Sequence, residues 1–597
     1  MARCLVHRGP DAEGFFLEGD AGFAFRRLSI IDLETGDQPL FNEDRSLVLL
    51  CNGEIFNHLD LRDRLTELGH RLVTRCDVEV LVHLYEEYGV DTPSHLNGQF
   101  AFVIWDRLRQ TLFLARDHFG ILPLYYTLVD GLFVFGSEIK AILEHPLVER
   151  SVDLQGLDQV FSLPGLVSPT TMFKGIHQLR HGHSLLVAEG RIAERQYWDL
   201  DYPREGEIEY REEGFYREGL TDLFARSVQD RLQADVPVGL YLSGGLDSSL
   251  IAAMVRRLDG SSGRKAFAVS FSDPEADESR YQQVMAKHAG CTLREVSFDV
   301  EKASELIETM VYHAECPVKE TYNTCSLALS RSVRDSGMKV VLSGEGADEL
   351  FAGYVGYRFD QMRGSRQSLA AVEPLEIQFR ESLWGDRDFG YEQSCVDLRR
   401  TKLGLYAEPL RQSFDSFDCF RQPFVDKERL HGRHRVHQRS YLDFKLRMAD
   451  HLLADHGDRM ALANSVEARY PFLDVALVDF VRQVPPGLKL NGYTEKYILR
   501  RMGEEMLPPE ILRREKFGWY APGSPELLQR RAGWIWEALS FDRIRRQGYF
   551  DPCAIEALKK RYAENRFKLN QPFETDLLII VATFGLFLDL FRMPDLG

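Results

Sequence analysis

Apolar positions follow two regimes along the chain. Through the first two hundred residues they come in short runs with strand character, among them Ser46-Leu47-Val48-Leu49-Leu50-Cys51, Phe100-Ala101-Phe102-Val103-Ile104-Trp105 and Thr111-Leu112-Phe113-Leu114-Ala115, with helical spacing over 59–68 and 78–88. Many strands and few helices predict a packed double sheet. From Leu220 onward, long helical segments are broken by three apolar strands, at 236–242, 267–271 and 339–342. That alternation predicts a parallel sheet with helices on both faces, whose ligands bind where the strands end. Between the two regimes, residues 199–209 are acidic and carry Pro203 and Gly206, the composition of a linker.

A chain of 597 residues is too long for one core, so two or more domains are expected. Its 73 basic and 91 acidic residues leave a net charge of −18, which gives no general attraction for nucleic-acid phosphates or anionic lipid. Nine cysteines without a Cys-x-x-Cys pair read as reduced thiols of a cytoplasmic protein rather than as a zinc centre. No basic start followed by an apolar stretch marks a signal peptide. The longest apolar run, 577–588, is shorter than the about 20 residues a bilayer span needs and predicts a buried helix.

The stretch richest in chemistry is Leu242-Ser243-Gly244-Gly245-Leu246-Asp247-Ser248-Ser249. A strand precedes it, and Leu250-Ile251-Ala252-Ala253-Met254 continues at helical spacing. Two glycines allow a tight turn and a close approach of backbone N–H groups to a ligand. The serine hydroxyls and the free N–H groups of the helix start complete a phosphate cradle. Asp247, the one anion in it, suits Mg²⁺ held beside phosphates.

This motif resembles the pyrophosphate loop of the ATP-pyrophosphatase enzymes, in particular the asparagine synthetase superfamily, and it lacks the Gly-Lys-Ser/Thr ending of other phosphate loops. The resemblance implies cleavage of ATP between its α- and β-phosphates, with AMP passing to a carboxylate. It places Leu242, Ser243, Gly244, Gly245, Asp247, Ser248, Ser343 and Gly344 around ATP, with the Val269 backbone against adenine. In Leu342-Ser343-Gly344-Glu345-Gly346-Ala347-Asp348-Glu349-Leu350-Phe351-Ala352-Gly353-Tyr354 it implies that Asp348 shares Mg²⁺ with Asp247 and that Glu345 stands by the reacting carboxyl group. The cyclising β-lactam synthetases carry a tyrosine at that position. Lys496, in Thr494-Glu495-Lys496-Tyr497-Ile498-Leu499-Arg500, matches the family lysine that reaches the α-phosphate and stabilises transition-state charge. Lys516 matches a less informative motif, and the runs 458–460 and 465–474 match a core helix and turn that serve packing and ion pairing.

Six ordered motifs in the N-terminal half resemble the class II glutamine amidotransferase domain: His7-Arg8-Gly9-Pro10-Asp11, Arg27-Leu28-Ser29-Ile30-Ile31-Asp32, Asn52-Gly53-Glu54-Ile55-Phe56-Asn57, Asp77-Val78-Glu79, Ala115-Arg116-Asp117-His118-Phe119-Gly120 and Gly136-Ser137-Glu138. Glutamine presents an α-carboxylate and an α-ammonium. By resemblance Arg27 clamps the first, Asp77 and Glu54 face the second, and Asn52 with the Gly53 N–H forms the oxyanion hole. The family nucleophile is a cysteine at the mature N-terminus. This sequence reads Met1-Ala2-Arg3-Cys4, and the residues around Cys4 read as the tail of a helix leading into His7. Loss of a first core strand would leave backbone groups unsatisfied at roughly 1–3 kcal/mol each, so a mis-called start is the expectation.

The expected architecture is therefore an α+β and α/β pair. Residues 1–200 form an αββα double-sheet amidotransferase-like domain lacking its first strand as it reads, and 210–597 form a parallel-sheet ATP-pyrophosphatase domain. The expected activity is ATP- and Mg²⁺-dependent amidation of a carboxylic acid with ammonia from glutamine. An ammonia-independent cyclase and a non-catalytic scaffold are the alternatives. The segment 315–330 lacks the Thr-x-Arg-Ala-Ser run that binds aspartate in well-studied asparagine synthetases and resembles amidotransferases found with exopolysaccharide and exosortase gene sets, which leaves the acceptor open. No nucleic-acid or membrane partner is expected, and a homodimer is left open.

Overall fold

Alternation along the strands sorts the N-terminal half of this computed structural model into layers; the structure describes residues 1–260, 263–272, 277–365, 372–515, 521–570 and 574–597. Strands β1 (Ala12–Glu18) and β2 (Ala21–Arg27) form a hairpin. The next four strands, β3 (Leu40–Phe41), β4 (Leu47–Ile55), β5 (Gly98–Asp106) and β6 (Thr111–Arg116), are followed by β7 (Tyr125–Val129), β8 (Leu132–Gly136), β9 (His177–Gln178), β10 (His183–Ala188) and β11 (Arg191–Gln196). They build a six-stranded antiparallel sheet in the order β11-β10-β6-β5-β4-β3 and a three-stranded one in the order β8-β7-β9. Phe100, Phe102, Ile104 and Phe113 pack on α1 (His58–Leu68) and α2 (Val80–Tyr88) through Leu61, Leu65, Val80 and Leu84. Their neighbours Ala101, Val103, Leu112 and Leu114 point the other way, into a core shared with Leu124, Tyr125 and Val134. The period of two thus buries both faces of one sheet against different layers. A single 3₁₀ turn, Ala2–Leu5, precedes His7.

In the C-terminal half a five-stranded parallel sheet takes the place of the three strands expected. Its strands are β12 (Val238–Tyr241), β13 (Lys265–Phe271), β14 (Thr292–Phe298), β15 (Val340–Leu342) and β16 (Glu467–Arg469), in the order β14-β13-β12-β15-β16. The two additional strands are the outer ones. β14 carries the exposed Arg294 and Glu295, and β16 reads Glu-Ala-Arg, so neither shows the continuous apolar run of a strand buried on both faces. The turn expected at 465–474 is therefore partly a sheet edge.

The two halves share one core. Phe173 meets Phe587 of the buried helix Leu577–Leu590 with ring centroids 5.1 Å apart. Residues 199–209 are not a free tether: Leu200, Tyr202 and Ile208 are buried, and the Tyr202 hydroxyl lies 2.5 Å from Ser440 Oγ. Among the described residues no helix is long and apolar enough to cross a membrane.

Candidate active site

Strand β12 lies between β13 and β15, and the turns that follow β12 and β15 meet beyond their C-terminal ends, the crevice that parallel sheets use for ligands. The Leu242 N–H donates to the Phe267 carbonyl at 2.9 Å, which sets the start of the turn. Gly244 has φ of +71°, and a Cβ there would sit 2.7 Å from Tyr281, so both backbone and space demand glycine. Ser243 and Ser248 brace the turn: the Ser243 N–H donates to Ser248 Oγ at 3.2 Å, and the Gly245 N–H donates to Ser243 Oγ at 3.2 Å. Helix α3 (Leu246–Asp259) then begins, with Asp247 in its first turn.

The second turn runs from Ser343, whose N–H donates to the Arg469 carbonyl at 2.9 Å. It touches the first, because a Cβ on Gly344 would lie 3.1 Å from Asp247 Cβ. Asp348 follows in the short helix α4 (Ala347–Leu350). Lys496, in a left-handed conformation before α5 (Tyr497–Gly503), reaches between the two turns. Its Nζ lies 2.6 Å from Asp247 Oδ2 and 2.7 Å from Asp348 Oδ1, and the residue is only 5% exposed. Burial works against its charge, but Asp247 and Asp348 prevail and hold the ammonium well above the usual lysine range. Burial, reinforced by Asp247 and Asp348, raises the Glu345 carboxyl, and its Oε2 makes no hydrogen bond among the described residues. Glu349, beside this group, is pushed up to about 7 by burial and then by Asp348.

The Mg²⁺ ligands expected from the sequence thus already converge on a cation, the Lys496 ammonium, and two carboxylates from separate turns are the hard oxygen donors that Mg²⁺ takes. Gly353 is an additional requirement to which the sequence reading assigns no role. A Cβ there would stand 2.0 Å from Asp348 Oδ1 and 2.2 Å from Lys496 Cε. Gly353→Ala is expected to displace the lysine and suppress nucleotide-dependent activity at least as strongly as it lowers the melting temperature; full activity in a folded variant would remove this requirement. The Val269 carbonyl accepts from Gln282 Nε2 at 2.8 Å, and Lys516 lies outside the described residues.

The residues expected to bind glutamine cluster where β4 ends. Gly53 has φ of +135°, and a Cβ there would lie 2.1 Å from the Gln99 carbonyl oxygen. The buried Asn52 Nδ2 makes no hydrogen bond among the described residues, as a donor reserved for an incoming oxygen would. The Ile55 N–H donates to Asp77 Oδ2 at 2.7 Å. Burial, and then Asp77, raises the Glu54 carboxyl well above its ordinary value, and burial raises Asp77 too; Arg469 opposes both, its Nη2 3.2 Å from Glu54 Oε1. A ligand ammonium would relieve this pair. Arg27 is buried and oriented by Asp37 at 2.9 Å and by the Asp32 carbonyl at 2.5 Å. Cys4 has a thiol raised by burial and then by Glu144, and its charged neighbours Glu144, Lys140 and Glu138 lie outside the glutamine set.

A buried ionic network ties the halves together. Arg8 makes a two-pronged contact with Asp458, at 2.7 and 2.9 Å, and donates to Glu138 at 3.1 Å. Arg459 donates to Glu315 at 2.7 Å, and Glu315 accepts from the Ile139 and Lys140 N–H groups at 2.8 and 2.7 Å. Next to it the segment 315–330 opens on a cleft lined by Cys316, Lys319, Glu320, His451 and Asp455. Burial lowers the Lys319 ammonium to about 8. The Tyr322 hydroxyl lies 2.8 Å from His451 Nε2.

Comparison with known proteins accords with this architecture. The asparagine synthase family model matches residues 219–584, and the glutamine amidotransferase domain model matches 1–198. Amidase chyE of Penicillium rubens is 33% identical over 97% of this chain and 92% of its own length. Two Bacillus subtilis proteins, the glutamine-hydrolyzing asparagine synthetases 1 and 3, are 30% and 32% identical, each over 90% of this chain and 85% and 86% of their own lengths. The chain belongs to the asparagine synthetase family, ATP-dependent carbon–nitrogen ligases of the glutamine-hydrolysing amidotransferase type.

Proposed function

We propose that the crevice beyond β12 and β15 adenylates a substrate carboxylate and that ammonia then displaces AMP to leave an amide. The observation that carries this reading is the meeting of Asp247, Asp348 and Lys496 at one point, with Glu345 nearby. The carboxylate oxygen attacks the α-phosphorus and pyrophosphate departs. Lys496 offsets the charge that builds on the phosphoryl oxygens. Asp247 and Asp348 would hold Mg²⁺, which neutralises the departing phosphates. With Mg²⁺ taking up the Asp247 and Asp348 carboxylates, the Lys496 ammonium would be released toward phosphate oxygens. Glu345, with a raised carboxyl and an unsatisfied oxygen, is placed to take a proton from the ammonia nitrogen as that nitrogen attacks the acyl-adenylate and AMP leaves.

Where an N-terminal cysteine supplies the nucleophile, ammonia comes from glutamine held by Arg27, Asn52, Gly53, Glu54 and Asp77; otherwise it comes from solution or a partner. A pyrophosphate-release screen over carboxylic acids, run with glutamine or ammonium as nitrogen donor, tests the proposal. Release is expected with a subset of acids and is expected to vanish in Asp247→Ala. Release that persists in that variant, or turnover with no nitrogen donor, would redirect the assignment to another site or to an intramolecular cyclase.

A further inference from the structure

Three surface elements of the N-terminal half converge away from both sites described above. The turn between β3 and β4 carries Glu43, the chain leaving α1 through the left-handed Gly69 carries His70, and one face of α2 carries His83 and Glu86 three residues apart. One ligand-type atom from each of these four residues lies within 4.8 Å of the other three. His70 Nδ1 is 3.6 Å from both Glu43 Oε1 and Glu86 Oε2, and His83 Nδ1 is 3.4 Å from both Glu43 Oε2 and Glu86 Oε2. A tetrahedron with metal–nitrogen and metal–oxygen bonds of 2.0–2.1 Å has edges of about 3.3 Å.

His83 supplies the second, independent sign. It is 1% exposed, and its Nδ1 faces the Glu43 and Glu86 carboxylate oxygens at 3.4 Å without hydrogen-bond geometry to either, so the buried ring is turned into the centre of the group. The outer atoms are arranged as they are around bound metals. His70 Nε2 lies 3.1 Å from Glu87 Oε1, and His83 Nε2 lies 4.0 Å from Glu79 Oε1, so a carboxylate stands behind each imidazole. Glu43 Oε1 accepts the Arg71 N–H at 2.8 Å, and Glu86 Oε1 accepts from Asn42 Nδ2 at 2.9 Å, which orients both carboxylates.

We propose that Glu43, His70, His83 and Glu86 form a structural Zn²⁺ site. Two imidazole nitrogens with two carboxylate oxygens suit Zn²⁺ better than the all-oxygen shells of Mg²⁺ or Ca²⁺. Four protein ligands close the coordination, so the metal staples the β3–β4 turn and the end of α1 to α2. Those elements flank β4, whose far end carries Asn52, Gly53 and Glu54. Cysteine spacing gives no hint of the site, because no thiol takes part.

The test uses the full-length chain, stripped with a chelator and titrated with Co²⁺ and Zn²⁺ under reducing conditions. About one equivalent is expected to bind, giving a visible Co²⁺ band of tetrahedral intensity without the near-ultraviolet band of a thiolate ligand. His83→Ala and Glu86→Gln are expected to lose that equivalent, and Zn²⁺ is expected to raise the melting temperature of the wild type but not of Glu86→Gln. Glu86 is exposed, so this second variant remains informative if His83→Ala does not fold. No uptake by the wild type, uptake undiminished in Glu86→Gln, or a thiolate band would overturn the proposal.

Discussion

Lys496→Met is expected to lower carboxylate-dependent pyrophosphate release by about 10²–10³-fold, the loss that follows removal of one pre-positioned charge-stabilising group. The side chain is built in from several directions: Gly353 leaves it room, its left-handed backbone aims it, and Asp247 and Asp348 hold it at 2.6 and 2.7 Å. Without the ammonium, two close carboxylates face each other, which costs stability in the ligand-free protein. Mg²⁺ is therefore expected to raise the melting temperature of Lys496→Met more than that of the wild type. Activity assays with and without saturating Mg-ATP, beside melting curves at graded Mg²⁺, separate the two effects. Unchanged release in the variant would remove Lys496 from the mechanism.

Arg459→Met is expected to cost about 3–5 kcal/mol, because it strands buried carboxylates in the contact between the halves. Glu315 is 2% exposed and loses its 2.7 Å partner, and Glu138, 3.9 Å from the same guanidinium, loses one of its cations. The pH dependence has a defined sign. Burial alone would raise both carboxyls, but Lys140, His7 and Arg459 bring Glu138 well below its ordinary value, and Arg459 with Lys140 lowers Glu315. Their stabilisation is thus present above the unfolded carboxylate pKa, about 4.3, and is lost as pH falls through the lower folded values. Removing Arg459 raises those folded values, so acid unfolding is expected to begin at higher pH. Urea midpoints measured from pH 3 to 7 check both the size and the direction; a midpoint and an acid limb that match the wild type would show that the network carries no stability.

Legibility in the sequence followed the range of the interactions involved. The turn at Ser243-Gly244-Gly245 can be read locally, since a glycine pair between an apolar strand and a helical run has few uses. The inner strands of the C-terminal sheet are equally plain because they are apolar throughout. The outer strands Thr292–Phe298 and Glu467–Arg469 are not, because an edge needs no continuous apolar run and their charged residues look like turn or helix surface. Residues 199–209 have a linker's composition, yet Leu200 and Tyr202 are buried, and the Tyr202 hydroxyl meets Ser440, more than two hundred residues away in sequence. Gly353 can be counted as a motif glycine, but its use depends on a lysine that arrives from another part of the chain.

By itself the sequence determined the two architectures, the glycine turn at 243–245 and the types of side chain available for the chemistry, because periodicity, glycine placement and local charge act over a few residues. Tertiary structure alone decided which charges become partners: Lys496 with Asp247, Arg8 with Asp458, Arg459 with Glu315, and His70 with His83 and two glutamates. Pairing in a dry interior depends on distance and desolvation, and residues hundreds of positions apart acquire both only when the layers close on one another.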